Sequence, residues 1–203
     1  MVKVVVENVA KRGIFERVAF DLEAGGRMVV VGPNGSGKST LLRLLSGATA
    51  PDAGTVRYFD PAGNEIPLAR LYRLISWSAP GVEFPPELTL RQAASLHFRF
   101  RRPSAPPDEL LRVLDLHAHQ NRKLRHLSSG MLQRFKVGVA LWTQSAMLIL
   151  DEPTAFMDAD NARKIWDLVE ARLDGRTLLV ATNDPAEAAR FERRLVLDGL
   201  RRR

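Results

Sequence analysis

The chain has 203 residues, 45% hydrophobic and 26% charged, a balance that suits one folded domain with a sizeable core and excludes general disorder. Cysteine is absent, which excludes disulfides and thiolate chemistry, and no window approaches the roughly 20 apolar residues of a bilayer-spanning helix, so a cytoplasmic chain that does not itself cross the membrane is expected. The net charge of +7 is carried by clusters at His97–Arg102, Asn121–His126 and Arg201–Arg203; a solvated basic face is the first reading of these, anionic lipid headgroups the second and nucleic acid the third.

In chain order, Val2 to Val6 and Arg17 to Leu22 predict strands with a turn near Gly13, and Met28 to Val31 is a short apolar run ending at Gly32, as a buried central strand ends. Leu41, Leu42, Leu44 and Leu45 give a helical face that stops at Gly47. The stretch Pro80 to Pro86 predicts a loop. Thr89 then caps a helix running to about Phe100, and Pro103 to Pro107 breaks it. A helix from Asp108 to Leu116 follows, and Ser128 caps another from Ser129 to Gln144. Met147 to Leu150 and Thr177 to Ala181 predict parallel strands separated by a helix from Ala159 to Leu173. The last strand is expected at Arg194 to Leu197, closed by Asp198-Gly199.

The run Gly32-Pro33-Asn34-Gly35-Ser36-Gly37-Lys38-Ser39-Thr40 fits the G-x-x-x-x-G-K-[ST] pattern in full. Glycines let successive backbone N–H groups turn inward toward phosphate oxygens, and a helix starting near Lys38 aims its positive end at them. Lys38 supplies a fixed charge to the β- and γ-phosphates of a nucleoside triphosphate, and Ser39 a magnesium ligand. The apolar run before Asp151-Glu152 places two carboxylates at a strand end, where open parallel sheets bind ligands. Asp151 is the candidate magnesium ligand, and Glu152 the candidate base for the attacking water. Standing alone, such a pair is as often a helix cap or a turn.

With these residues in place, the whole chain resembles the nucleotide-binding subunit of an ATP-binding cassette (ABC) transporter. The discriminating element is Leu127-Ser128-Ser129-Gly130-Met131-Leu132-Gln133-Arg134, which is similar to the family's Leu-Ser-Gly-Gly-Gln signature and the Gln-Arg after it. Ser128, Ser129 and Gly130 would open a helix whose N–H groups face a γ-phosphate, although without its companions the segment is an ordinary Ser-capped helix. The resemblance implies an α/β, RecA-like P-loop NTPase core with an N-terminal antiparallel β element and a helical subdomain inserted at about 83–133. It further implies ATP and Mg2+ as cofactors, a head-to-tail dimer in which the signature of one subunit completes the site of the other, separate transmembrane subunits as partners, and no nucleic acid. The place implied is the inner face of the cell membrane. Asp158 in Ala155-Phe156-Met157-Asp158 matches the family's D-loop aspartate, and Gly54 matches a common turn beyond the first helix. The short length and Ser-Ser-Gly-Met signature look like short exporter ATPases such as the haem-exporter subunit of cytochrome c maturation.

Three departures stand out. Lys11-Arg12-Gly13 fills the place of the aromatic residue that stacks on adenine, with Arg12 offering a guanidinium instead. Between Arg73 and Thr89 there is no glutamine to sense magnesium and the membrane partner, with Glu83 the nearest substitute. The switch histidine is replaced by Asn183, which hydrogen-bonds but carries no charge. These leave open a non-transport ABC ATPase acting on nucleic acid or ribosomes, and a weakly hydrolysing regulatory subunit. The histidines at 97, 117, 119 and 126 show no trusted metal spacing and are expected to be surface polar residues.

Overall fold

The computed structural model describes residues 1–81 and 83–198; the expected closing Gly199 and the basic cluster Arg201–Arg203 lie outside them. In chain order the elements are β1 (Lys3–Lys11), β2 (Phe15–Leu22), β3 (Arg27–Val31), α1 (Lys38–Leu45), β4 (Ala53–Phe59), α2 (Leu71–Leu74), β5 (Ile75–Ser78), α3 (Leu90–Phe100), α4 (Pro107–Val113), α5 (Ser129–Trp142), β6 (Met147–Asp151), α6 (Ala159–Arg172), β7 (Thr177–Thr182), α7 (Pro185–Ala188) and β8 (Arg194–Val196). They fall into two compact units: Met1–Ile75 with Ser145–Glu152 and Gly175–Arg203, and Ser76–Gln144 with Pro153–Asp174. No helix among the described residues is long and apolar enough to cross a membrane.

In the first unit β2, β1 and β4 form an antiparallel sheet in that order, with Val4 opposite Leu22 on one side and Tyr58 on the other. Alternation buries Val4, Val6, Val9, Phe15, Val18 and Leu22, so one face carries the core. Gly54 was expected in a turn but lies inside β4 at φ 81, where a Cβ would stand 2.3 Å from the carbonyl oxygen of Asn8. Asn8 is itself at positive φ, in a register shift of β1, and that bulge presses its backbone onto β4 at a point only glycine tolerates.

The parallel strands run β6-β7-β3-β8. All five residues of β6 and all six of β7 are buried, which is why they read as continuous apolar runs. Register decides where the chemistry sits. Asp151 pairs with Ala181 and Val31 with Thr182, so β6, β7 and β3 finish at one edge, and the residues after each, Glu152, Asn183 and Gly32, emerge together. Helix α1 packs behind this edge through buried Leu41, Leu42, Leu44 and Leu45, and the Tyr58 hydroxyl donates to the Leu45 carbonyl at 2.8 Å. The fully buried Thr177 hydroxyl accepts from Val2 N (3.3 Å) and Gly25 N (3.0 Å) and donates to Val2 O (2.7 Å).

The second unit is helical. Thr89 and Gln92 form a reciprocal capping box at the start of α3. Buried Leu90, Ala93, Leu110, Leu114, Phe135, Val139 and Trp142 build its core. Gly138 lets α4 approach α5, because a Cβ there would meet Leu114 Cδ1 at 2.4 Å. His97 departs from the expected surface role. It is half-buried, edge-on to Phe84 (6.1 Å between ring centres) with Phe84 against Phe135 (5.3 Å), and its Nε2 lies 2.8 Å from Thr143 Oγ1. Burial lowers its pKa to about 4.

Candidate active site

The chain leaves β3 at Gly32 with an extended φ of 159, and a Cβ there would collide with the Leu197 carbonyl oxygen at 2.2 Å. Gly37 ends the loop in a left-handed conformation, φ 99, where a Cβ would strike Ile14 Cγ2 at 2.6 Å. Both positions therefore exclude a side chain by contact. Helix α1 then starts at Lys38 with no side-chain cap, which leaves its first N–H groups for a ligand.

Lys38 is buried, with Nζ donating to Gly32 O (2.7 Å) and Pro33 O (3.2 Å) and lying 3.6 Å from Glu152 Oε1. Asp151 is 1% exposed and neither carboxylate oxygen has a hydrogen-bond partner. Burial raises its pKa above the ordinary value; the Ser39 hydroxyl, near the carboxylate but outside hydrogen-bonding geometry, and the charges of Lys38 and Arg43 offset part of the rise. An orphaned buried carboxylate beside a hydroxyl is a pair of hard oxygen donors, the donor chemistry that suits Mg2+.

Glu152 stands at the first step beyond β6 with φ 49, a left-handed turn that brings a second carboxylate to Lys38. Its backbone N donates to Ala181 O at 2.8 Å, and its Oε2 receives weaker contacts from Thr182 Oγ1 (3.5 Å) and Asn183 N (3.4 Å). Burial raises its pKa, Lys38 and the Asn183 N–H lower it, and Asp151 and Glu187 add to the rise. The Asn183 side chain donates from Nδ2 to Asn34 Oδ1 at 2.9 Å, joining the end of β7 to the phosphate loop.

Ile14, Asn34, Gly35, Gly37, Lys38, Ser39, Thr40 and Glu152 line a hollow of about 310 Å³. Ile14 and Thr182 were missed in the sequence: an isoleucine in a hairpin and a threonine at a strand end carry no local signal. Arg12 is not among the lining residues. It is exposed, and its backbone N donates to Asp52 (2.8 Å), as Lys11 Nζ does (2.7 Å).

The signature residues sit in the helical unit. Ser128 caps α5, accepting from Met131 N at 3.2 Å, and Ser129 and Gly130 form its first turn. Gly130 packs against the Phe156 carbonyl oxygen, which a Cβ would approach to 2.7 Å. Asp158 caps α6, accepting from Asn161 N and Nδ2 at 2.8 Å each, and these bonds hold its pKa below the ordinary value. Asn161 Oδ1 in turn accepts from Arg134 at 3.0 Å. Glu83 is exposed in the loop before α3.

A family model described as "ABC transporter" matches residues 15–155. The chain is 34% identical over 198 residues to the lipoprotein-releasing system ATP-binding protein LolD of Hydrogenovibrio crunogenus, covering 92% of this chain and 86% of the relative. It is 32% identical over 197 residues to the Nod factor export ATP-binding protein I of Rhizobium etli, covering 93% of this chain but 61% of that protein, so it spans under two thirds of that relative. Among solved structures it is similar to a dimeric ATP-binding cassette in a post-hydrolysis state bound to ADP and Pi, with TM-score 0.79, 25% identity and coverage of 98% and 94%.

Proposed function

The chain belongs to the ABC transporter family, and from that premise we propose that it binds ATP with Mg2+ on the phosphate loop and hydrolyses it as a paired ATPase that drives transport through separate membrane subunits. The observation that carries this reading is the buried Asp151 carboxylate, unpartnered beside Ser39 and within the field of Lys38. A buried carboxylate without a partner is costly, and a cation arriving with the nucleotide removes that cost.

In this reading residues 32–40 wrap the phosphates with backbone N–H groups, and Lys38 exchanges its two carbonyl acceptors for phosphate oxygens. Ser39 and Asp151 would hold Mg2+, which when bound neutralises charge on the phosphate oxygens. Glu152 orients and deprotonates the attacking water, a role its raised pKa suits. Asn183 leaves Asn34 to donate to the γ-phosphate. Ser128, Ser129, Gly130 and Asp158 act on the nucleotide held by a second subunit, and the helical stretch of about 83–133 is the inserted subdomain that presents them. The assembly works at the inner face of the cell membrane. Asn183 offers no charge in place of a histidine, so slow turnover is expected.

Glu152→Gln is expected to retain ATP binding and lower steady-state hydrolysis by at least about a hundredfold. Equilibrium ATP binding and phosphate release on the purified protein measure the two separately. A variant that hydrolyses like the parent would sink Glu152 as the base.

A further inference from the structure

Helix α3 buries Leu90, Ala93 and Ala94 and turns its half-buried His97 to Phe84 and Thr143. Helical spacing puts Gln92, Ser95, Leu96 and Arg99 on the opposite side, all exposed, with Phe100 at the end of the helix and 80% exposed. Phe156 is nearly as exposed, at 78%, but Phe100 has a second apolar side chain one helical turn away on the same helix, Leu96, 37% exposed, so that the two form a small apolar patch. Arg99 precedes Phe100 and Arg102 follows two residues after it, and both are exposed. Between Glu87 and Asp108 the sequence has four arginines and no acid. Glu87 is already engaged by Lys123 (3.3 Å) and Arg125 (2.6 Å), and among the described residues neither Arg99 nor Arg102 has an ion-pair partner.

We propose that the end of α3, with Phe100 and Leu96 as apolar contacts and Arg99 and Arg102 beside them, docks on the surface of an anionic phospholipid bilayer. The match is one of charge and layering. Headgroup phosphates offer the anions that this acid-free stretch lacks, and the acyl boundary just beneath receives an aromatic and an aliphatic side chain. Single-stranded nucleic acid would stack on Phe100 but has no use for Leu96. The docking deepens the membrane setting proposed above and rests on it only for its cellular meaning. Vesicle partition is read without ATP and hydrolysis without vesicles, so the two readings fail separately.

The full chain is sedimented with phosphatidylcholine vesicles and with vesicles holding about 30% phosphatidylglycerol. Partition is expected to be about tenfold greater on the anionic vesicles and to fall with added salt. Phe100→Ser, and separately the pair Arg99→Glu and Arg102→Glu, should each remove at least about fivefold of that preference while leaving solution ATP hydrolysis and the circular dichroism spectrum unchanged. The pair Arg17→Glu and Arg163→Glu changes net charge equally at exposed sites elsewhere and should retain it. An equal loss in this control pair overturns the proposal, because diffuse charge then suffices. Absence of partition to protein-free anionic vesicles overturns it in favour of a protein partner, and tighter binding to a single-stranded oligonucleotide than to vesicles overturns it in favour of nucleic acid.

Discussion

The phosphate-loop site and the start of α5 are both rich in polar groups, yet they treat those groups in opposite ways. At the first, Asp151 is buried without a hydrogen bond, Ser36 Oγ is buried without one, and Lys38 rests on backbone carbonyls. At the second, Ser128 and Asp158 each satisfy the helix they begin, and Asp158 is further linked through Asn161 to Arg134. One region is therefore held in a state that a ligand improves, while the other is complete by itself and has backbone, rather than side chains, left to offer.

Asp151→Asn tests the contrast most severely. The pKa of Asp151 is raised in the folded state, so the native form holds its proton more tightly than the unfolded form does. Stability accordingly falls as pH rises from the ordinary carboxylate value through the raised one, and above both the ionised group is a constant cost. The asparagine variant should lose at least about a hundredfold in hydrolysis while gaining about 1–2 kcal/mol of stability at neutral pH, with a flatter stability profile as pH rises above the ordinary carboxylate value. Phosphate release and urea melts across that range measure both effects. A destabilised variant would mean that the buried carboxylate is satisfied in the absence of ligand.

Gly130→Ala comes next. Its methyl group would sit 2.7 Å from the Phe156 carbonyl oxygen, so α5 and the segment before α6 must part, at a cost of about 1–3 kcal/mol. Paired with this should come a loss of hydrolysis greater than the loss of nucleotide affinity, if the α5 start serves a second subunit. The smallest effect belongs to Ser128→Ala, which removes one cap and should cost about 1 kcal/mol, read from a denaturant midpoint. An unchanged midpoint would show that the α5 start does not depend on its own cap and would blur the contrast.

The phosphate loop was legible in the sequence because its glycines answer local demands that leave a fixed spacing: a Cβ would collide with Leu197 at Gly32 and with Ile14 at Gly37, and Gly35 turns at φ 81. Caps at Thr89, Ser128 and Asp158 act over three residues and were equally readable or matched by motif. The Asn183–Asn34 bond joins residues 149 apart in sequence, and Thr182 reaches Glu152 only through the pairing of β6 with β7; no short window encodes either. Strand β4 was missed because Gly54 looks like a turn until the bulge at Asn8 supplies the reason for it. His97 was misjudged for the same kind of reason, since the rings of Phe84 and Phe135 that bury it come from separate segments.

The hydroxyl of Thr177 binds the chain ahead of β1, the turn before β3 and the first residue of β7 through one oxygen. Neither sheet of the first unit can loosen at that point without breaking bonds that belong to the other. The amides of Val2 and Gly25, at the margin of the antiparallel sheet, should thus exchange with solvent deuterium only as fast as the buried end of β7 opens. A surface margin in this way reports the slowest breathing of the nucleotide-binding core.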